Sequence, residues 1–173
     1  MFYKKEMQSA FQDYLQGRGI VSIDAHGTVD DPKTCVLTLD SGARVTWQAL
    51  ESGADFDSIT ELDIHDADGQ RLYRGNHFYE YAEYSLESAP ELTGQQVTRA
   101  PMQEAVGRTI TDAYEYDNVV VFSLDNGMQL QSRVETMHSK AYLVDASGRA
   151  IGRCVIYVHP SPMIGIPEDE RSC

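Results

Sequence analysis

The side chains best suited to chemistry are five histidines (His26, His65, His77, His138, His159), three cysteines (Cys35, Cys154, Cys173) and an acidic stretch at Asp63, Asp66 and Asp68. No two histidines stand at the helical spacing of a metal pair. His65 and His77 lie close in sequence to Asp63, Asp66 and Glu80, so a metal site there would have to assemble in space. A hydrogen-bonded structural histidine is the commoner outcome without ligand spacing. Asp63, Asp66, Asp68 and Gly69 also suggest a calcium loop, but that frame puts Ile64 at the first ligand position and Gly75 at the last. An Asp-rich hairpin turn explains the stretch better.

Three widely spaced cysteines make neither a disulfide framework nor a zinc pattern. Cys35 and Cys154 sit in apolar runs and read as buried thiols, while Cys173 ends a polar tail. The chain has no phosphate loop, no dinucleotide fingerprint, no Gly-x-Ser-x-Gly elbow and no His-Glu-x-x-His helix. No nucleophile stands beside a base, so no catalytic residue, metal ligand or cofactor is assigned.

Two binding constellations remain. The run His77 to Tyr84 reads as a strand with aromatic rings on both faces, and it makes Tyr79, Tyr81, Tyr84, Glu80 and Glu83 candidates for partner contact. Tyr114 and Tyr116 form a second such pair. These rings would serve equally to cover an internal seam. The other constellation is Arg18, Arg74, Arg108 and Arg153, which recur at corresponding places and would suit an anion clamp. Local pairing with the abundant carboxylates is the plainer explanation.

Charge narrows the choice of partner. The 27 acidic residues outnumber the 14 basic ones, for a net charge of −13. Such a surface repels phosphate backbones, so direct nucleic-acid binding is disfavoured. It suits a basic protein instead, including one whose own ligand is DNA or RNA, although solubility alone often explains acidity. Self-association stays open. The apolar runs, such as Val119–Phe122, are of strand and not membrane-span length. No apolar stretch follows Lys4 and Lys5 as a secretory signal requires, so the expected compartment is the cytoplasm.

The elements that position these residues repeat within the chain. Gly17–Ile20 recurs as Gly107–Ile110, Ile23–Ala25 as Thr111–Ala113, Leu37–Gly42 as Phe122–Gly127, and Asp66–Gly69 as Asp145–Gly148. Leu72 and Arg74 then match Ile151 and Arg153. The matches keep their order, and their offsets shrink as if the second copy had shorter loops. The largest step belongs at Glu51 to Asp57. Asp-Ser-Gly and Asp-Asn-Gly between alternating apolar residues predict hairpins. An apolar stripe of Tyr3, Met7, Ala10, Phe11, Tyr14 and Leu15 predicts a helix ending at Gly17. A shorter helix is expected from Pro101 through Val106 to Gly107.

The predicted fold is α+β, mainly antiparallel β, with two tandem helix–strand–hairpin–hairpin units packed about a pseudo-two-fold axis. Residues 1–84 form the first unit, 85–98 a linker, 99–158 the second unit and 159–173 an irregular acidic tail with three prolines. The expected function is a non-enzymatic acidic interaction module of an inhibitor, immunity, anti-defence or viral accessory kind. The alternative is a protein, or a minor enzyme, that binds a small anionic ligand between the repeats.

Overall fold

The computed structural model describes residues 2–26, 34–51, 58–78, 90–116, 119–135 and 138–158. The candidates at Tyr79, Glu80, Tyr81, Glu83 and Tyr84, and the tail 159–173, lie outside these residues.

Helix α1 (Phe2–Tyr14) leads into five strands: β1 (Ile20–His26), β2 (Thr34–Leu39), β3 (Arg44–Glu51), β4 (Ser58–His65) and β5 (Arg71–Phe78). A 3-10 helix (Ala100–Ala105) then leads into β6 (Ile110–Tyr116), β7 (Val119–Leu124), β8 (Gln129–Glu135), β9 (His138–Val144) and β10 (Ala150–Val158). Each set of five forms one antiparallel sheet in which every strand pairs with its sequence neighbours. The protein is mainly antiparallel β, as the alternating runs require.

Turn chemistry sets the hairpins. At Asp40–Gly42 the Leu39 amide donates to the Ala43 carbonyl, and the Gly42 amide donates to the Leu39 carbonyl. Gly42 has φ +83, a conformation open to glycine at little cost. The turn at Asp125–Gly127 makes the corresponding bonds, from Leu124 to Met128 and from Gly127 to Leu124. In the outer hairpins the Asp66 carboxylate accepts from the amides of Asp68 and Gln70, and Asp145 accepts from those of Ser147 and Arg149. A β-bulge follows each of these turns, with Leu72 extra in β5 and Ile151 extra in β10.

Strand register corrects one of the sequence matches. Ile23 lies opposite Leu37, and Ala113 lies opposite Phe122. Since Leu37 and Phe122 precede their turns by the same interval, Ile23 corresponds to Ala113 and not to Thr111. The shared Ile/Thr-Asp-Ala pattern was a coincidence two residues out of step. The second helix also differs from expectation. Residues 100–105 form a 3-10 helix because the segment is too short for stable α-helix turns and is held at both ends. The Arg153 amide donates to the Thr98 carbonyl before it, and the Gly107 amide donates to the Ile20 carbonyl after it.

The two sheets join where the chain enters each one. Gly19 forms an antiparallel bridge with Thr109. Around it the Gly17 amide donates to Ile110 and the Gly107 amide to Ile20, while Ile20 donates to Arg108 and Ile110 to Arg18. α1 rests against β5 and β6, and the 3-10 helix rests against β10 and β1. Each helix therefore covers the end of its own sheet and the first strand of the other.

One apolar cluster runs through both sheets, joining Phe11, Leu15, Leu37, Trp47 and Ile64 to Met102, Ile110, Phe122, Leu130 and Ile156. Trp47 stacks on Phe122 with ring centroids 5.5 Å apart and planes 27° from parallel. Burying one such ring contributes about 1.5–3 kcal/mol, so this contact ties β3 to β7 strongly. Neither sheet buries that face without the other.

Candidate functional site

The outer faces of the two sheets carry different chemistry. On β4 the inward residues Leu62 and Ile64 alternate with Glu61 and Asp63, which point to the other face yet are buried. Arg74 of β5 crosses to them. Its Nε stands 2.9 Å from Asp63 Oδ1, one terminal nitrogen donates to Asp63 Oδ2 at 3.2 Å, and the same nitrogen stands 3.1 Å from Glu61 Oε1. Arg71 adds a longer contact of 3.7 Å to Asp63.

Burial and the neighbouring Asp63 charge push the Glu61 carboxyl above its usual range. Burial would raise Asp63 as well, but the hydrogen bond and charge of Arg74 outweigh it and hold that carboxyl low. Two carboxylates with opposed shifts resemble an acid–base pair in outline. Here the guanidinium occupies both, so the arrangement is an ion-pair cluster that staples β4 to β5.

The second sheet has a polar row in the same region. The Tyr114 hydroxyl accepts from Gln129 Nε2 at 2.8 Å, Gln129 Oε1 accepts from Gln131 at 2.9 Å, and Gln131 Oε1 accepts from Arg133 Nε at 2.9 Å. Arg133 continues the row to the Pro90 carbonyl at 2.7 Å. Pro90–Thr98 lies across this face as a strap. Leu92 packs with Tyr142, Val144 and Ala150, Arg153 donates to the Gln95 carbonyl at 3.0 Å, and Thr93 bridges Arg149. A cavity of about 250 Å³ beneath the strap is lined by Tyr114, Gln129, Gln131 and Arg133.

The candidate arginines are therefore divided. Arg74 and Arg153 lie on the outer faces of different sheets, each bonded within its own half. Arg18 and Arg108 are exposed and come to the seam, where their carbonyls accept the amides of Ile110 and Ile20. Arg18 also lines a recess of about 180 Å³ with Asp13, Tyr14 and Asp66. Tyr114 is half-buried in the polar row, and Tyr116 lies in β6 opposite Val119. His65 is half-buried at the end of β4. Among the described residues, no group of three or more His, Cys, Asp or Glu side chains is placed to hold a metal ion.

Acidic turns form a chain across the seam. Asp66 and Asp68 belong to the β4–β5 turn, which touches the β2–β3 turn where Ala67 meets Gly42. The Asp40 amide of that turn donates to Gly19, which pairs with Thr109, and Thr109 accepts from the Asp125 amide. The Asp125 turn in turn approaches Ala146, next to Asp145. Asp40, Asp68 and Asp125 are exposed. Hydrogen bonds from the Ser147 hydroxyl and the Arg149 amide lower the Asp145 pKa, so this carboxylate stays charged.

A cavity of about 560 Å³ lies between the halves. Ile23, Asp24 and Cys35 of the first half and Thr98, Arg99, Met102, Gln103 and Cys154 of the second line it. None of the four candidate arginines reaches this lining. Sequence reasoning missed the Glu61–Asp63 pair, although strict alternation with Leu62 and Ile64 marked both as outward-facing. The cavity had no such signal, because its walls come from segments far apart in the chain.

Among the described residues, no helix is long and apolar enough to cross a membrane. No protein-family model, curated protein or solved structure matches this chain.

Proposed function

We propose that the chain is a non-enzymatic interaction module built from two copies of one unit and presenting an acidic rim to a basic protein partner. The carrying observation is the continuous run of aspartate-bearing turns from Asp68 through Asp40 to Asp125 and Asp145, which crosses the Gly19–Thr109 seam. Four hydrogen bonds around that seam exchange with one another when residues 17–20 are swapped with 107–110, which supports a pseudo-two-fold relation between the units. Matched positive-φ glycines at 17 and 107, 42 and 127, and 69 and 148 support it further.

Opposite charge on such a rim speeds encounter with a basic surface and disfavours acidic competitors. A protein that itself binds nucleic acid is a fitting partner, which agrees with an inhibitor, immunity or viral accessory role in the cytoplasm. The tyrosines at 79, 81, 84 and 116 would supply apolar contact area beside the charge.

The test is copurification from the native host at low and high salt, comparing wild type with the triple variant Asp40→Asn/Asp68→Asn/Asp125→Asn. These three carboxylates avoid the turn-capping roles of Asp66 and Asp145. A basic protein recovered by wild type at low salt, released by salt and lost by a variant of unchanged melting temperature is the expected result. Equal recovery by the variant would remove the rim from the function.

A further inference from the structure

We infer that the cavity between the two halves is a binding site for a soft monovalent metal ion, Cu(I), with the sulfur atoms of Cys35, Cys154 and Met102 as its donors. All three side chains are buried and line one cavity, from β2, β10 and the 3-10 helix respectively. Neither cysteine is in a disulfide. The Met102 sulfur lies 3.3 Å from where a Cβ on Gly152 would stand. Gly152 and Cys154 share one face of β10, with side-chain origins about 6–7 Å apart at the rise of a strand. Met102 and Cys154 thus border the same stretch of wall.

The donor set selects the ion. Thiolate and thioether sulfur is soft and favours Cu(I), whereas calcium and magnesium demand oxygen. Structural zinc asks for four nitrogen, thiolate or carboxylate ligands, and this lining offers two thiols and one carboxylate, Asp24, beside the thioether. Cu(I) is satisfied by two or three sulfurs.

Binding releases the two thiol protons, leaving one net negative charge in a cavity that Arg99 and Asp24 also line, so the cation and the carboxylate of the wall offset each other. A net charge of −13 draws cations toward the protein. The volume of about 560 Å³ exceeds what an ion needs, and the surplus lets the unbranched Met102 chain and the two thiols swing onto it.

Full-length reduced protein, kept free of oxygen, would be titrated with Cu(I) against the coloured chelator bicinchoninate. Wild type and Cys173→Ser should each withdraw one equivalent. Cys35→Ser and Cys154→Ser should each lose about tenfold or more in affinity, and Met102→Leu less. Cys35→Ala and Cys154→Ala serve where the serine variants fold poorly. Loading should also add a thiolate-to-Cu(I) charge-transfer band in the ultraviolet that a variant lacking both Cys35 and Cys154 does not show. The proposal is overturned if wild type cannot compete with the chelator, if a folded variant lacking both Cys35 and Cys154 withdraws Cu(I) as well, or if loading produces no such band.

Discussion

A Cβ placed on Gly42 would lie 2.8 Å from the Cβ of Ala67, so the β2–β3 and β4–β5 turns approach as closely as glycine permits. The matching pair in the second half is looser, with 3.5 Å between a Cβ on Gly127 and that of Ala146. Both glycines have φ +83, so the backbone penalty for alanine is shared and only the packing differs. Gly127→Ala should cost about 1–2 kcal/mol from the left-handed conformation alone. Gly42→Ala should cost a further ~1–3 kcal/mol from overpacking. Urea unfolding would measure both, and Gly42→Ala/Ala67→Gly should recover the packing share. Equal losses at the two positions would mean the turns separate freely.

The Glu61–Asp63 pair predicts opposed pH effects. The Asp63 pKa lies below its ordinary 3.8, so its contribution to stability is complete above that value and is lost as pH falls through the folded pKa. The Glu61 pKa lies above its ordinary 4.5, so its contribution is present below 4.5 and is lost as pH rises through the folded pKa. Glu61→Gln should therefore gain on wild type between pH 4 and pH 7, and Asp63→Asn should lose on it between pH 3 and pH 7. Urea midpoints at these pH values check the signs. A Glu61→Gln variant that falls further behind wild type as pH rises would contradict the role given to burial.

The strap across the second sheet should open without unfolding the core. Leu92→Ala removes its main apolar anchor and should cost about 2 kcal/mol or more. Hydrogen exchange should then quicken at the Ala150 amide, which donates to Thr93. The Ile110 amide, which donates to Arg18 at the seam, should keep its protection. Faster exchange at both would show that strap and seam open together.

Much of this architecture was legible in the chain. Asp-Ser-Gly at 40–42 and Asp-Asn-Gly at 125–127 specify tight turns because few residues tolerate positive φ, and alternation around them specifies strands. The Ile23–Ala25 match failed because similarity over three residues does not encode strand pairing, which Leu37 and Phe122 decided.

By itself, the order of residues determined the acidic charge, the strands, the hairpins and the stripe of α1, since each follows from periods and turn preferences acting over a few neighbours. Tertiary structure alone decided that Gly19 meets Thr109, that Pro90–Thr98 covers one sheet face, and that Cys35, Met102 and Cys154 share a cavity. It also decided that Glu61 and Asp63 are buried beneath Arg74. The physical reason is range: local propensities select φ and ψ residue by residue. Contacts between segments distant in the chain instead depend on which faces two sheets must hide together.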